Sequence, residues 1–450
     1  MSLPRYPKYK SSGVEWLGEV PGHWKVKRLK QACHVFPSNV DKKSYDDETP
    51  VNLCNYTDVY YNETITADME FMAATATDDQ IAKFTLRAGD TIITKDSETA
   101  DDIAIGAYVP ADMPGVICGY HLSMIRPMTD TNGAFVKRLF DSTYVRSCVA
   151  VRANGLTRVG LGQYEIDNLE LPFPPLDEQQ TIAAFLDRET GKIDALIAEQ
   201  RRLVELLAEK RQAVISHAVT KGLNPNVRMK DSGIEWLGEV PEHWATPSLY
   251  MRYSSELGKM LDSSKITGDH LIPYVRNVDV QWGSINLDDL PLMDIREDEH
   301  QRYTVKAGDL LICEGGEVGR AAIVPAMDAV FGYQKAIHRL RALNDDEDTK
   351  FMYFTFLWVA NTGVFNLSGS STIAHLTGEQ LRRYRFPKPP VDEQVAISVF
   401  LDTEAAKFDT LTAEANRAIE LLQERRSALI SAAVAGKIDV RSHFSKLETA

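Results

Sequence analysis

Cysteine is scarce in this chain: five in 450 residues, no two of them forming a CxxC pair. That excludes a disulfide framework and a cysteine-based zinc site, and it points to a reducing, cytoplasmic setting. Long apolar runs are also missing. The strongest, Phe351 to Ala360, falls well short of the ~20 residues that span a bilayer. The first ten residues hold no apolar core of a signal peptide. Positive charge is in deficit, with 50 Lys+Arg against 64 Asp+Glu, a net charge of −14 and a pI near 5.3. Nucleic-acid binders usually carry a basic surface, so the balance speaks against such a partner for the chain as a whole. It does not speak for one concave face, nor for a subunit that borrows positive charge from its neighbours.

Catalytic signatures are missing as well. No GxxxxGK[ST] loop is present, which excludes a P-loop ATPase, and the ten histidines form no HExxH. Asn224-Pro225-Asn226 is a poor match to the Asn-Pro-Pro-aromatic segment of amino-methyltransferases. Gly315-Gly316-Glu317-Val318-Gly319 resembles a phosphate loop but lacks the following Lys-Ser/Thr; a turn that brings backbone close to a neighbour fits it better. What remains is ordinary globular composition, 44% apolar and 25% charged, with length for two or three domains.

The chain is a tandem repeat. Ser12–Trp24 reads SGVEWLGEVPGHW and Ser232–Trp244 reads SGIEWLGEVPEHW, while PFPPLDEQ from Pro172 returns as PKPPVDEQ from Pro387. Each copy is a lead motif, a variable region and a long helix. The chain divides as 1–171 (first variable domain with its lead motif), 172–222 (first helix), 223–386 (second domain) and 387–450 (second helix and tail). Pro174-Pro175 and Pro389-Pro390 precede the helices. Asp177 and Asp392 are candidate N-caps, Asp177 forming a capping box with Gln180, and Gly222 and Gly436 are candidate ends. About 43 residues between them make a helix of about 65 Å.

Apolar residues in the first helix step by 4 and 3: Ile182, Leu186, Glu189, Ile193, Leu196, Gln200, Leu203, Leu207, Lys210, Val214. The second repeats this from Ile397 and Leu401 through Glu404, Phe408, Leu411, Arg425 and Leu429. A 3.5-residue period is a coiled-coil seam. In an antiparallel pairing, Glu189 and Glu404 come near Arg425 and Lys210 and set the register by charge, or these residues snorkel to water at the seam edge. Phe185, Ile197, Val204, Leu206 and Ile215 lie off that stripe and face either a globular domain or a partner.

The variable regions are rich in Tyr, Thr, Val, Ile and Gly. Both place an apolar run after an AGD turn, TIIT after Asp90 and LLIC after Asp309, and both carry a Gly-Tyr pair, Gly119-Tyr120 and Gly332-Tyr333. Otherwise they have diverged. The fold class expected is α+β: two β-rich mixed α/β domains separated by two long antiparallel coiled-coil helices, in an internal pseudo-two-fold repeat. His23 and His243, beside Trp24 and Trp244, read as packing or helix-docking residues.

The repeated SG[VI]EWLGEVPxHW lead and the PxPPxDEQ segment entering a long helix resemble the specificity subunit of type I restriction-modification enzymes, over nearly the whole chain. The resemblance implies that each variable region is a target recognition domain reading one half of a split double-stranded DNA site. It implies that the helices space the two readers and dock two modification subunits, which carry S-adenosylmethionine and methylate adenine N6. It also implies docking of two restriction subunits, which use ATP and Mg²⁺, in a prokaryotic cytoplasm. No cofactor, metal or catalytic residue is expected on this chain. Divergence of the two domains implies an asymmetric site.

Base readers sit on loops between strands. The candidates are Lys95, Tyr120, His121, Asn154, Thr157 and Arg158 in the first domain, and Arg276, Asn277, Arg320, Tyr333, Gln334 and Lys335 in the second. Tyr333–Lys335 are matched to Tyr120, and Ser370–Thr372 to the Asn154 turn. Each is equally readable as surface charge or shared packing. Neither domain is basic: residues 25–171 hold 15 Lys+Arg and 21 Asp+Glu, net −6, and residues 245–386 hold 15 and 19, net −4. An assembly scaffold that never touches DNA is the rival reading. A Mg²⁺ nuclease built on scattered carboxylates is a weaker one.

Overall fold

The repeat is structural as well as textual in the computed structural model, which describes residues 3–261, 267–366 and 375–441. Two compact units emerge: residues 1–201 with 416–450, and residues 202–415. Each therefore joins one variable domain to half of each long helix, a division that differs from the simple chain-order one.

In the first unit, strands β1 (Cys33–Pro37), β2 (Thr49–Cys54), β3 (Met72–Ala76), β4 (Thr91–Thr94), β5 (Asp96–Ser97), β6 (Gly106–Tyr108), β7 (Val116–Cys118), β8 (Leu122–Pro127) and β9 (Val159–Gly160) form three sheets. The order is β1-β8-β4-β6 in an antiparallel sheet, β7-β2-β3 in a mixed one and β9-β5 in a ribbon; β7 and β2 run parallel. Helix α1 (Gly133–Asp141) and helix α2 (Leu176–Lys221) follow. The second unit repeats the plan with β10 (Tyr253–Leu257), β11 (Leu271–Val275), β12 (Leu292–Asp294), β13 (Leu310–Cys313), β14 (Ala321–Ile323), β15 (Gly332–Tyr333), β16 (Ile337–Ala342), helix α3 (Thr349–Thr362) and helix α4 (Val391–Val434). Its sheets order as β10-β16-β13-β14 and β12-β11-β15, with β11 and β15 parallel.

The AGD turn is explained by its aspartate. Asp90 accepts the Arg87 amide and a bidentate pair from Arg126 at 2.8 and 2.7 Å. Asp309 does the same with the Lys306 amide and Arg341. Each buried carboxylate thus ties the strand after the turn to its neighbour, β4 to β8 and β13 to β16. Paired, hydrogen-bonded burial is the condition under which such a charge is tolerated.

The lead motif docks the long helices. Trp24 and Trp244 are completely buried. Glu178 accepts from Tyr6 Oη (2.6 Å) and Trp24 Nε1 (3.1 Å) and shares a 2.7 Å hydrogen bond with His23 Nε2. In the second unit Glu393 meets His243 Nε2 at 2.9 Å and accepts from Trp244 Nε1 at 3.1 Å. The histidines are docking residues, as the sequence suggested. Gln179 and Gln394 add a second latch: their side-chain oxygens accept the Asn132 and Asp348 amides, just ahead of α1 and α3. The glycines that end the helices have φ of +75° (Gly222) and +66° (Gly436). A Cβ there would stand 3.2 Å from the ring of Trp244 or Trp24. Handedness and space both require glycine.

The helices run 46 and 44 residues and start two residues earlier than Asp177 and Asp392 as N-caps would imply. The prolines accept the first amides, from Glu178 and Glu393, and Asp177 and Asp392 fall in the first turn. Within each unit the two helix halves lie antiparallel. The charge pairs that fix them are Asp194–Arg426 at 2.9 Å in the first unit and Asp409–Arg211 at 2.5 Å in the second. Glu189 and Glu404 instead pair along their own helices, with Lys192 and Lys407, and no carboxylate among the described residues pairs with Lys210 or Arg425. The seam also differs from the expected stripe. Beyond Ile193 it follows Ile197, Val204, Leu207 and Ile215, while Leu196 and Leu203 are exposed. Ten steps from Ile182 to Ala218 cover 36 residues, the 3.6-residue advance of a straight helix. Phe185, Ile197 and Ile215 are thus buried and offer no docking surface; Leu206 remains exposed.

Candidate nucleic-acid interface

In the first domain the polar candidates converge where the parallel strands β2 and β7 end and β4 leaves its sheet. After β7 the chain turns through Gly119-Tyr120-His121. The Gly119 amide donates to Cys54 O at 2.9 Å, and the Lys95 amide donates to His121 O at 3.0 Å. A Cβ on Gly119 would lie 2.7 Å from that Cys54 oxygen, so the turn needs glycine to close. The result sets Lys95 and Asp96 beside Tyr120 and His121. Lys95 Nζ donates to Ser38 O at 2.8 Å and lies 4.5 Å from the Tyr120 ring centre. Burial lowers its pKa, against the opposing pull of Asp96. His121 Nδ1 is 2.8 Å from one Asp96 oxygen, and Arg158 Nη2 is 2.9 Å from the other. Asp41, Lys42, Asn55, Tyr56, Tyr120 and His121 rim a cavity of about 100 Å³. Asn154 and Thr157 stand on the adjoining hairpin, whose strand β9 pairs with β5. Five of the six first-domain candidates are exposed or partly so around Asp96, and Lys95 is half-buried at its base.

The second domain corrects the match between the repeats. The Gln334 amide donates to Val275 O as Gly119 does to Cys54 O, and the Glu314 amide donates to Ala336 O as Lys95 does to His121 O. Tyr120 therefore corresponds to Lys335, not to Tyr333; the two Gly-Tyr pairs are two residues out of step. Tyr333 belongs to β15 and is fully buried, its hydroxyl donating to Arg302 O at 2.8 Å. It has no surface to present to DNA. Arg320 is spent inside the fold: Nη2 donates to Asn277 O (2.9 Å) and Oδ1 (3.1 Å), and the side chain is mostly covered. Asn277 in turn holds Gly315 O and Ala336 O. These two residues clamp the loops that carry the surface. Arg276 is more open and makes a bidentate pair with Asp279. Burial of Asp279 works against its charge, but the Arg276 hydrogen bonds hold its pKa down. Lys335 is exposed, with no carboxylate partner among the described residues, and Gln334 is half-buried beside it. Ser370–Thr372 lie outside the described residues.

Sequence reasoning missed Asn55, Tyr56 and Asp96. A signal existed: Asn55-Tyr-Thr-Asp58 and Arg276-Asn-Val-Asp279 both follow a strand. In each, the first residue's amide donates to the aspartate three residues on, at 2.7 and 2.8 Å. Equivalent loop positions thus pair as Asn55 with Arg276, Tyr56 with Asn277, Lys95 with Glu314, Tyr120 with Lys335 and His121 with Ala336. The backbone positions are shared and every side chain differs.

Residues 21–206 and 255–421 match the family described as the type I restriction modification DNA specificity domain. A protein assigned as the specificity subunit of the type I restriction enzyme MjaX of Methanocaldococcus jannaschii is 22% identical over 433 residues, covering 95% of this chain and 96% of that protein. The EcoKI specificity subunit of Escherichia coli (strain K12) is 22% identical over 331 residues, 72% of this chain and 68% of its own length. Among solved structures, a chain from a study of complex assembly and conformational transition of the type I R-M system aligns with a TM-score of 0.70 at 17% identity, covering 92% of this chain and 98% of that one. The HsdS subunit from Thermoanaerobacter tengcongensis aligns with a TM-score of 0.57 at 17% identity, covering 93% and 98%. With two DNA specificity domains, each built on the same strand-end platform and joined to the long helices through its lead motif, the chain belongs to the specificity subunits of type I restriction-modification systems.

Proposed function

We propose that this chain is a non-catalytic subunit whose two domains read the two unlike halves of a split DNA site, each through the loops at the ends of β2, β4 and β7 or of β11, β13 and β15. The observation that carries this is the pairing of identical backbone positions with different side chains, from Asn55/Arg276 to His121/Ala336. A reader needs a rigid frame and variable tips, and an asymmetric site needs tips that differ between the copies. The lengths of α2 and α4 set the half-site spacing. Leu196 on the first unit and Leu203, Leu206 and Leu411 on the second, all exposed on the helices, are contacts for the two modification subunits that dock, with two restriction subunits joining the assembly. S-adenosylmethionine, ATP and Mg²⁺ belong to those partners, and the methylated group is adenine N6.

Net charges of −6 and −4 on the two domains predict weak binding by the chain alone, since phosphate neutralisation by Lys and Arg dominates affinity. The test is a titration of labelled duplex by the chain alone and by its complex with the modification subunits, across a salt series. Tight, sequence-specific binding only in the complex is expected. Strong, salt-insensitive binding by the isolated chain would contradict the division of labour. No DNA binding by the intact complex would favour an assembly scaffold.

A further inference from the structure

The hairpin between Asn154 and Gly160 ends in an apolar side chain. Backbone hydrogen bonds run both ways between Asn154 and Gly160, at 3.1 and 2.9 Å. Val159 and Gly160 pair with Ser97 and Asp96 of β5. Gly155 takes φ +152°, and a Cβ there would come within 1.8 Å of Arg158 O. The loop closes on itself at that glycine and leaves Leu156 fully exposed at the tip. Its neighbours on the loop, Asn154, Thr157 and Arg158, are polar and exposed. The strand from which the hairpin hangs also carries Asp96, the carboxylate around which His121 and Arg158 gather. Leu156 therefore projects from the edge of the polar surface described above, anchored to it in a fixed register.

A leucine so placed does nothing for the stability of the domain, because it buries none of its side chain. Nor is one side chain a protein-docking surface, which takes about 800 Å² on each partner. A single apolar side chain flanked by hydrogen-bonding and cationic groups does match the wedges that enter between base steps and partly unstack them.

We propose that Leu156 is such a wedge: on DNA it enters a base step in the half-site read by the first domain, with Asn154 and Arg158 engaging the backbone on either side. This rests on the DNA-reading function proposed above. It assigns the first half-site a deformable step, since the ease of unstacking depends on sequence, pyrimidine–purine steps yielding most readily.

The test uses the complex with its modification subunits and duplexes carrying the mapped site, with 2-aminopurine at successive positions of each half. The wild-type complex should show a fluorescence rise at one step of the first half, separate from the adenine that is methylated. Leu156→Ala should abolish that rise, weaken binding about tenfold and leave the second half unchanged. Leu156→Met, which keeps an apolar tip, should restore both. An unchanged signal in Leu156→Ala overturns the proposal. So does weaker assembly of Leu156→Ala with the modification subunits in the absence of DNA, which would make the leucine a protein contact. Failure of the wild-type complex to recognise any split site would instead remove the DNA-reading function on which the wedge rests.

Discussion

Glu178 and Glu393 hold equivalent places in the two units, yet removing them should cost different amounts. The Glu178 side chain is only 4% exposed and serves three groups, Tyr6, His23 and Trp24. Truncation to alanine orphans the Trp24 indole N–H and the Tyr6 hydroxyl, both buried, while half-exposed His23 can turn to water. At about 1–3 kcal/mol for each buried group left unsatisfied, Glu178→Ala should destabilise the docking of the lead motif by about 3 kcal/mol. Glu393 is 28% exposed and serves two groups. The residue in the place of Tyr6 is Asn226, which is exposed. Glu393→Ala orphans only the Trp244 indole and should cost about 1–2 kcal/mol. The assay is amide hydrogen exchange by mass spectrometry on peptides spanning 6–24 and 226–244, because local opening is read there without assuming that the whole chain unfolds as one. Glu178→Ala should speed exchange in 6–24 roughly a hundredfold and Glu393→Ala should speed it in 226–244 roughly tenfold, at about 1.4 kcal/mol per decade. Glu178→Gln, which keeps an acceptor oxygen, should lie close to wild type. Equal acceleration at the two sites, or none at 6–24, would refute the latch as the origin of helix docking.

Reversing Asp194 to Arg should destabilise the first unit by about 1 kcal/mol in urea unfolding, the scale of a partly exposed ion pair. Adding Arg426→Asp should recover it only in part, because Arg426 also pairs with Glu63 at 2.7 Å. The matching swap of Asp409 and Arg211 should recover fully; complete recovery in both units would contradict the asymmetry. Burial alone would raise the pKa of Glu63, but Lys137, Arg426 and Arg138 hold it down at about 2, against an ordinary 4.5. A depressed carboxylate stabilises above its unfolded pKa, so this contribution is whole above about pH 4.5 and fades as pH falls towards 2. With the side chain 49% exposed, screening leaves about 1 kcal/mol. Glu63→Gln should accordingly lower stability at pH 7 and flatten the acid limb of the pH–stability curve, and an unchanged curve would remove the cluster from the account. Lys335→Ala should weaken binding of the assembled complex about equally at cognate and non-cognate duplexes and lower the salt slope by about 1; relaxation at a single base position would make Lys335 a base reader instead.

The repeat, the two helices and the docking role of His23 and His243 were legible because each rests on residues that recur in both copies at one spacing. The register of the surface loops was not. Gly119-Tyr120 and Gly332-Tyr333 are the same dipeptide, but equivalence is set by backbone pairing to Cys54 and Val275, which places Tyr120 opposite Lys335. The expected seam held at Ile182, Leu186, Ile193, Leu207, Ile397, Leu401 and Phe408 and departed at Leu196 and Leu203 for a geometric reason: these leucines continue a 4-3 rhythm, while a helix that advances 3.6 residues per turn carries the covered stripe to buried Ile197 and half-buried Val204. Asp194 and Arg211 were hidden among many exposed charges of α2, and only the partner helix singles them out. Arg320 looked free in sequence because nothing there reveals that Asn277 lies beside it.

Whether the chain directs methylation to a split site is decided by adenine-methylation mapping across a genome, in cells expressing the cognate modification subunit with and without this chain. A new split, asymmetric motif with one N6-methyladenine in each half, on opposite strands, should appear only when the chain is present. Methylation that is unchanged by the chain, with the modification subunit shown to be bound to it, would rule out a DNA-reading subunit and leave an assembly scaffold.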